Sequence, residues 1–178
     1  MKIIQIIKNG LCLIILTCLI SFGRCTIEIP ESRKENEKET EKEPEKQTQQ
    51  KLLVQLVNSY RTAGCDCGSA GYFAATTPVA WNEKLEQAAL DHSEDMFANN
   101  SLNHTGSDGS DPGTRMTRRG YDWKTYGENI AWGYQTDKSV MEGWIKSPGH
   151  CRNIMNPDFK EMGAAQKGSY WTLVLGKR

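Results

Sequence analysis

Apolar positions in residues 51–63, KLLVQLVNSYRTA, recur at helical spacing, with Leu53, Leu56, Val57 and Tyr60 on one face. The pattern predicts a helix, stopped by Gly64. From there to Val79 a C-x-C pair, glycines and Pro78 read as a loop. A second helix is predicted from Asn82, a good N-cap, with Glu83 in its favourable first turn. Its buried stripe is Leu85, Ala89, His92 and Met96. Residues 103–115, NHTGSDGSDPGTR, are dense in turn formers and read as a second loop. GENIAWG, residues 127–133, follows a glycine turn as a short strand. A third helix from about Asp137 buries Val140, Met141 and Trp144 and is ended by Pro148-Gly149. MGAAQKGSYWTLVLG, residues 162–176, reads as a hairpin turning at Gly168. In its second strand Trp171, Leu173 and Leu175 share one face and Tyr170, Thr172 and Val174 the other. Both faces are mostly apolar, which suits a central strand covered on two sides. Helices first and strands later give an α+β fold, helices stacked on a mainly antiparallel sheet.

Upstream of residue 51 the pattern changes twice. Lys2 and Lys8 precede LCLIILTCLISF at 11–22, an apolar run too short for a comfortable membrane span and long enough for a signal-peptide core. Ser21 and Gly23 place the cut after Gly23, with a cut after Cys25 as the alternative. Residues 24–50 form a charged linker. From 26 to 50 they carry eight Glu and five Lys or Arg, with Pro30 and Pro44 as breaks. Such a segment buries too little to offset its ordering entropy and is expected to stay a solvated tether.

The remaining domain, 51–178, holds 14 basic and 14 acidic residues. That balance leaves no electrostatic footprint for nucleic acid or an anionic membrane. Arg115, Arg118 and Arg119 lie among small polar residues and read as a solvated loop. Cys12 and Cys18 leave with the leader; Cys65, Cys67 and Cys151 stay, with Cys25 depending on the cut. Export supports a disulfide. A bond from Cys65 or Cys67 to Cys151 would close a long loop, worth on the order of 4 kcal/mol in the chain-entropy model. Zinc held by the C-x-C pair is the rival reading.

Candidate chemistry is sparse. His92 and Ser93 are helix neighbours, which point apart, so His92 is read as packed and hydrogen-bonded. Asp108 and Asp111 fail as a calcium loop, since Pro112 occupies a ligand position and the closing glutamate is missing. Ser147 and His150 lack an oxyanion-hole motif. His104, Glu128 and His150 each sit at an element end, where functional groups are usually displayed. Two imidazoles and a carboxylate can make an open metal site, with zinc the metal in view, or supply a base and an acid.

LLVQLVNSYR, WNEKLEQAALDHSEDM, NHTGSDGSDPGTRM, YGENIAWG, VMEGWIKSPGHCRNIMNPDFKEMGAA and YWTLVLG occur in an order that resembles the CAP superfamily. This superfamily comprises cysteine-rich secretory proteins, antigen 5 and plant pathogenesis-related proteins, and the likeness is strongest to its short bacterial secreted members. It covers nearly all of residues 52–176. It implies a three-layer α-β-α sandwich with a central cleft, lined in the family by two histidines and one or two glutamates that hold zinc in some members. Carried over, these are His104, His150 and Glu128. The second glutamate is missing: Lys146 and Ser147 occupy its region, and Glu142 lies in another register. The resemblance also implies that Cys151 staples its loop to the C-x-C segment.

The implied function is a secreted or surface-tethered binding or signalling module for an extracellular protein, glycan or lipid. A metal-assisted hydrolase with Glu128 as base is the alternative. The residues supply a metal site and one base but no nucleophile or electrophilic stabiliser, which favours the module.

Overall fold

In the computed structural model of the chain the described residues are 31–178, with side chains from residue 45 onward. The leader read at 1–23, and Cys25, lie outside them. Eleven elements follow in order: helix α1 (Glu31–Ala63), strands β1 (Cys65–Asp66), β2 (Tyr72–Phe73) and β3 (Ala80–Trp81), helices α2 (Glu83–Ala98) and α3 (Pro112–Arg118), strand β4 (Thr125–Trp132), helices α4 (Asp137–Lys146) and α5 (Pro148–Met155), and strands β5 (Glu161–Lys167) and β6 (Tyr170–Lys177). A short 3-10 turn, Gly68–Ala70, lies between β1 and β2.

The main sheet has the order β3-β5-β6-β4. Its β4–β6 and β5–β6 pairs are antiparallel, and only β3–β5 is parallel. Strand β6 is therefore internal, and its two apolar faces are both used. Trp171, Leu173 and Leu175 join Leu53, Val57, Val140, Trp144 and Ile154 in the core under α1, α4 and α5. Val174 packs with Leu85, Ala88, Ala89 and Met116 of α2 and α3. On that same face Thr172 receives a hydrogen bond from Ser93 of α2 at 2.9 Å. The result is the expected α-β-α sandwich.

Local signals account for most element ends. Asn82 caps α2 through the amides of Lys84 and Leu85. Gly64, at φ +82°, closes α1, its amide bonding to Tyr60 O at 3.0 Å. Gly168, at φ +56°, makes the β5–β6 turn.

Four elements differ from the sequence reading. Helix α1 begins at Glu31 rather than 51 and runs past Pro44. Glu, Lys and Gln are good helix formers. Residues 46–50 also lie against the domain: Lys46 pairs with Glu86 at 3.1 Å, Gln50 donates to Glu86 at 3.0 Å and Gln49 to Asp137 at 3.0 Å. Residues 103–115 are not all loop, because Asp111 caps α3, accepting from the Thr114 amide at 2.7 Å, with Pro112 in the first turn. Pro148 opens a helix rather than only ending one: it occupies the first turn of α5, so His150 is helical. The strand read at 127–133 is the eight-residue β4.

Arg61 is an unexpected core residue, fully buried on α1. It donates to the carbonyls of Thr77 (2.9 Å), Ile154 (2.6 Å), Asn156 (2.9 Å) and Phe159 (3.1 Å). Two of these belong to the last turn and cap of α5, whose final carbonyls lack helical partners and welcome a cation.

Candidate functional site

Strand β4 lies at the edge of the sheet, with β6 as its one neighbour there. Side chains alternate across it. Glu128 points toward α2 and α3, and Asn129 toward α5, where its amide donates to His150 O at 3.1 Å. Asn153 of α5 reaches back to Glu128 O (3.2 Å) and Asn129 Oδ1 (3.0 Å). His104, ahead of α3, and His150, on α5, thus approach from opposite layers beside this edge.

Glu128 is the hub. Its side chain is 2% exposed, and its Oε2 accepts from Arg115 Nη2 at 2.7 Å. Its Oε1 lies 2.8 Å from His104 Nδ1. With a carboxylate as partner, Nδ1 carries the proton and donates, which leaves Nε2 as the free ring nitrogen. The His104 side chain is 53% exposed.

Arg115 is the largest correction at the site. The sequence reading set it in a solvated loop with Arg118 and Arg119; it is 4% exposed. Besides Glu128 it donates to His104 O at 3.0 Å and Ser110 O at 2.8 Å. One guanidinium therefore holds both the carboxylate and the loop that carries His104. The missed signal was Asp111-Pro112, a helix start that places Arg115 on the buried side of α3. Arg118 and Arg119 are exposed as expected and pair with Asp108 and Asp91.

His92 is packed and wholly buried, and Ser93 faces away to Ala165 O and Thr172. The expected hydrogen bond is not made: neither buried ring nitrogen has a partner among the described residues, and His92 Nε2 stands 3.8 Å from Glu128 Oε1, beyond hydrogen-bond reach. Helical spacing alone could not reveal that setting. Burial lowers the His92 pKa, against the pull of the Glu128 charge. Burial also lowers that of His150, and the charge of His104 adds to it. His104 thus lies near enough to bear on the charge of His150 across the β4 edge.

A pH dependence follows. Folded His92 and His150 sit below the ordinary 6.5, so the unfolded chain takes up protons first at these two positions. Stability is complete above that value and falls as pH drops below it. Carboxylates titrate from ordinary values of 3.8–4.5, so the interval from 6.5 to about pH 5 reports the imidazoles. Urea midpoints should decline across it, and His92→Gln should make the decline shallower. An unchanged slope in that variant would show that folded His92 protonates freely.

The disulfide joins Cys67, not Cys65, to Cys151. This removes the C-x-C zinc reading, since Cys67 is consumed. Glu142 is exposed on α4, in keeping with its different register.

Fold and site together define an SCP-like sandwich with a histidine–carboxylate cluster at its sheet edge. The profile of the CAP family, the cysteine-rich secretory protein family, matches residues 54–173, and the chain belongs to that family. It is 37% identical over 97 residues to the uncharacterized protein YkwD of Bacillus subtilis (strain 168), a match covering 53% of this chain and 38% of YkwD. An extracellular protein containing a SCP domain from Bacillus anthracis str. Ames has a similar structure. Its TM-score is 0.65 at 23% identity, covering 74% of this chain and 41% of that one. An outer surface protein from Borrelia burgdorferi matches with TM-score 0.61 at 20% identity, over 72% of this chain and 91% of that one. The chain thus spans less than half the length of YkwD and of the B. anthracis protein. Among the described residues no helix is long and apolar enough to cross a membrane.

Proposed function

We propose that the chain is a binding module, secreted or held at the cell surface, that presents His104 and His150 to an extracellular ligand. One observation carries the reading: both oxygens of Glu128 are engaged, one by Arg115 and one by His104. A carboxylate held this way orients an imidazole; it is poorly placed to take a proton from water. The chemistry of the two imidazoles suits a divalent metal, zinc above all, although His104, Glu128 and His150 do not gather three ligand atoms within 4.8 Å of one another. Metal-ligating histidines commonly donate their second ring nitrogen to a carboxylate, as His104 does. His150, its pKa lowered, is neutral near pH 7, as a ligand must be. His104 and His150 would hold the ion, and Glu128 would act from behind His104. Bound there, zinc would offer Lewis acidity toward water or a ligand oxygen.

Location outside the cell is supported by the Cys67–Cys151 bond, of a kind that persists in oxidising compartments. The words extracellular and outer surface in the names of the similar structures agree with it. Protein, glycan and lipid are the ligand classes to test beyond the metal. A metal-assisted hydrolase would need Glu128 to release Arg115 or His104 before serving as a base.

Calorimetry with zinc on the oxidised chain near neutral pH tests the proposal. One site per chain is expected, with affinity reduced at least tenfold in both His104→Ala and His150→Ala. Binding that survives both changes would sink the metal reading. Zinc-dependent hydrolysis abolished by Glu128→Gln would favour the enzyme instead.

A further inference from the structure

Beside His150 but on the core side of α5, three sulfurs converge where the β1 segment meets that helix. Cys67 and Cys151 are bonded, and both are buried. Cys65 is a free, half-buried thiol whose Sγ lies 3.7 Å from Cys151 Sγ. All three sulfurs fall within 4.8 Å of one another. With two of them bonded to each other, the group is not a metal site in this state.

Cys65 and Cys67 are two residues apart, so one short segment offers two thiols to one acceptor. Cys67 is fixed in the core and by its amide to Gly71 O at 2.9 Å, whereas the Cys65 end is more lightly held. Strand β1 pairs with β2 at just two positions, Cys65 with Phe73 and Asp66 with Tyr72. Glycines with positive φ flank it at Gly64 and Gly68. The sulfurs form a bent group, since a collinear set would spread wider than 4.8 Å. In-line attack therefore asks Cys65 Sγ to swing outward, a motion that a two-residue strand between glycines can accommodate.

We propose that Cys65, Cys67 and Cys151 form a thiol–disulfide exchange site in which Cys65 and Cys67 compete for Cys151. The Cys65 thiol gives its proton to solvent, and the thiolate attacks Cys151 Sγ. A Cys65–Cys151 bond forms as the Cys67–Cys151 bond breaks. Cys67 leaves as a thiolate and takes a proton from solvent. Bonds and protons balance, and no oxidant or reductant is consumed. Both isomers keep α5, and with it His150, tied to the β1 segment. They differ in where the free thiol resides: half-buried at Cys65 in one, buried at Cys67 in the other. A small thiol in the surroundings thus meets different chemistry in the two isomers.

Disulfide mapping tests this on the intact chain. The oxidised protein is incubated for hours at about pH 8, acid-quenched, labelled with an alkylating reagent and digested without reduction. A protease cutting before Asp66 separates the two cysteines. The expected result is a Cys65–Cys151 cross-linked peptide with the label moved to Cys67. Cys65→Ser should give the Cys67–Cys151 peptide alone, and Cys67→Ser should oxidise to Cys65–Cys151, with an intact mass lower by two hydrogens. The wild-type map does not depend on either variant folding. A label that stays on Cys65 throughout, with Cys67–Cys151 as the one bond formed by these three residues, overturns the proposal.

Discussion

Arg115→Met should lower the unfolding free energy by about 3–5 kcal/mol, the usual cost of stranding one partner of a buried ion pair. Glu128 keeps its burial in the variant and loses the guanidinium 2.7 Å from its Oε2. The carbonyls of His104 and Ser110 lose their donor as well. The double variant Arg115→Met, Glu128→Leu should recover part of the loss, because it removes the unpaired charge along with its partner. Urea denaturation reads both effects: the midpoint should move while the slope stays constant. A loss below about 1 kcal/mol in the single variant would class the pair with exposed ones, which contribute little. The same substitution should open the 103–111 loop to proteolysis before the rest of the domain.

Gly163→Ala should be as severe for a different reason. Gly163 lies on β5 where α2 crosses the sheet. A Cβ there would stand 2.1 Å from Glu86 N and 2.4 Å from Leu85 C. These are backbone atoms, which cannot rotate away, so α2 as a whole would have to lift off the sheet. Overpacking of this kind costs about 3 kcal/mol or more. Gly149→Ala is the control: its Cβ would meet nothing within 4 Å, and stability should stay at or above that of the parent. Thermal unfolding of the two variants compares them directly, and equal midpoints would show that α2 yields easily.

The sandwich was legible because its signals are local and periodic. Alternation in β6 announced a strand covered on both faces, Asn82 announced α2, and Gly168 the hairpin. His104, Glu128 and His150 stood out by their expected place at element ends and by the family resemblance, although Glu128 lies inside β4 and His150 inside α5. What escaped depends on partners distant in sequence. The burial of Arg115 is set by a carboxylate 13 positions away and on another element. His92 shows helical periodicity whether its neighbour is an aliphatic side chain or Glu128. Pro148 is read equally well as an end or a beginning, and the next few residues settle which by packing. The choice of Cys67 over Cys65 rests on the course of a two-residue strand, too short to carry a pattern.

The Cys67–Cys151 bond spans 84 positions, and within that span lie His92, His104, Arg115, Glu128 and His150. A chain tethered at one end and gripped at the other is under mechanical load. Even if β5 and β6 were peeled away, tension would pass through the sulfur bridge and skip the intervening backbone. The closed loop cannot be drawn out while the bridge holds. A single nick inside it would likewise leave both pieces covalently joined, so these five residues share one topological enclosure whatever happens to the ends.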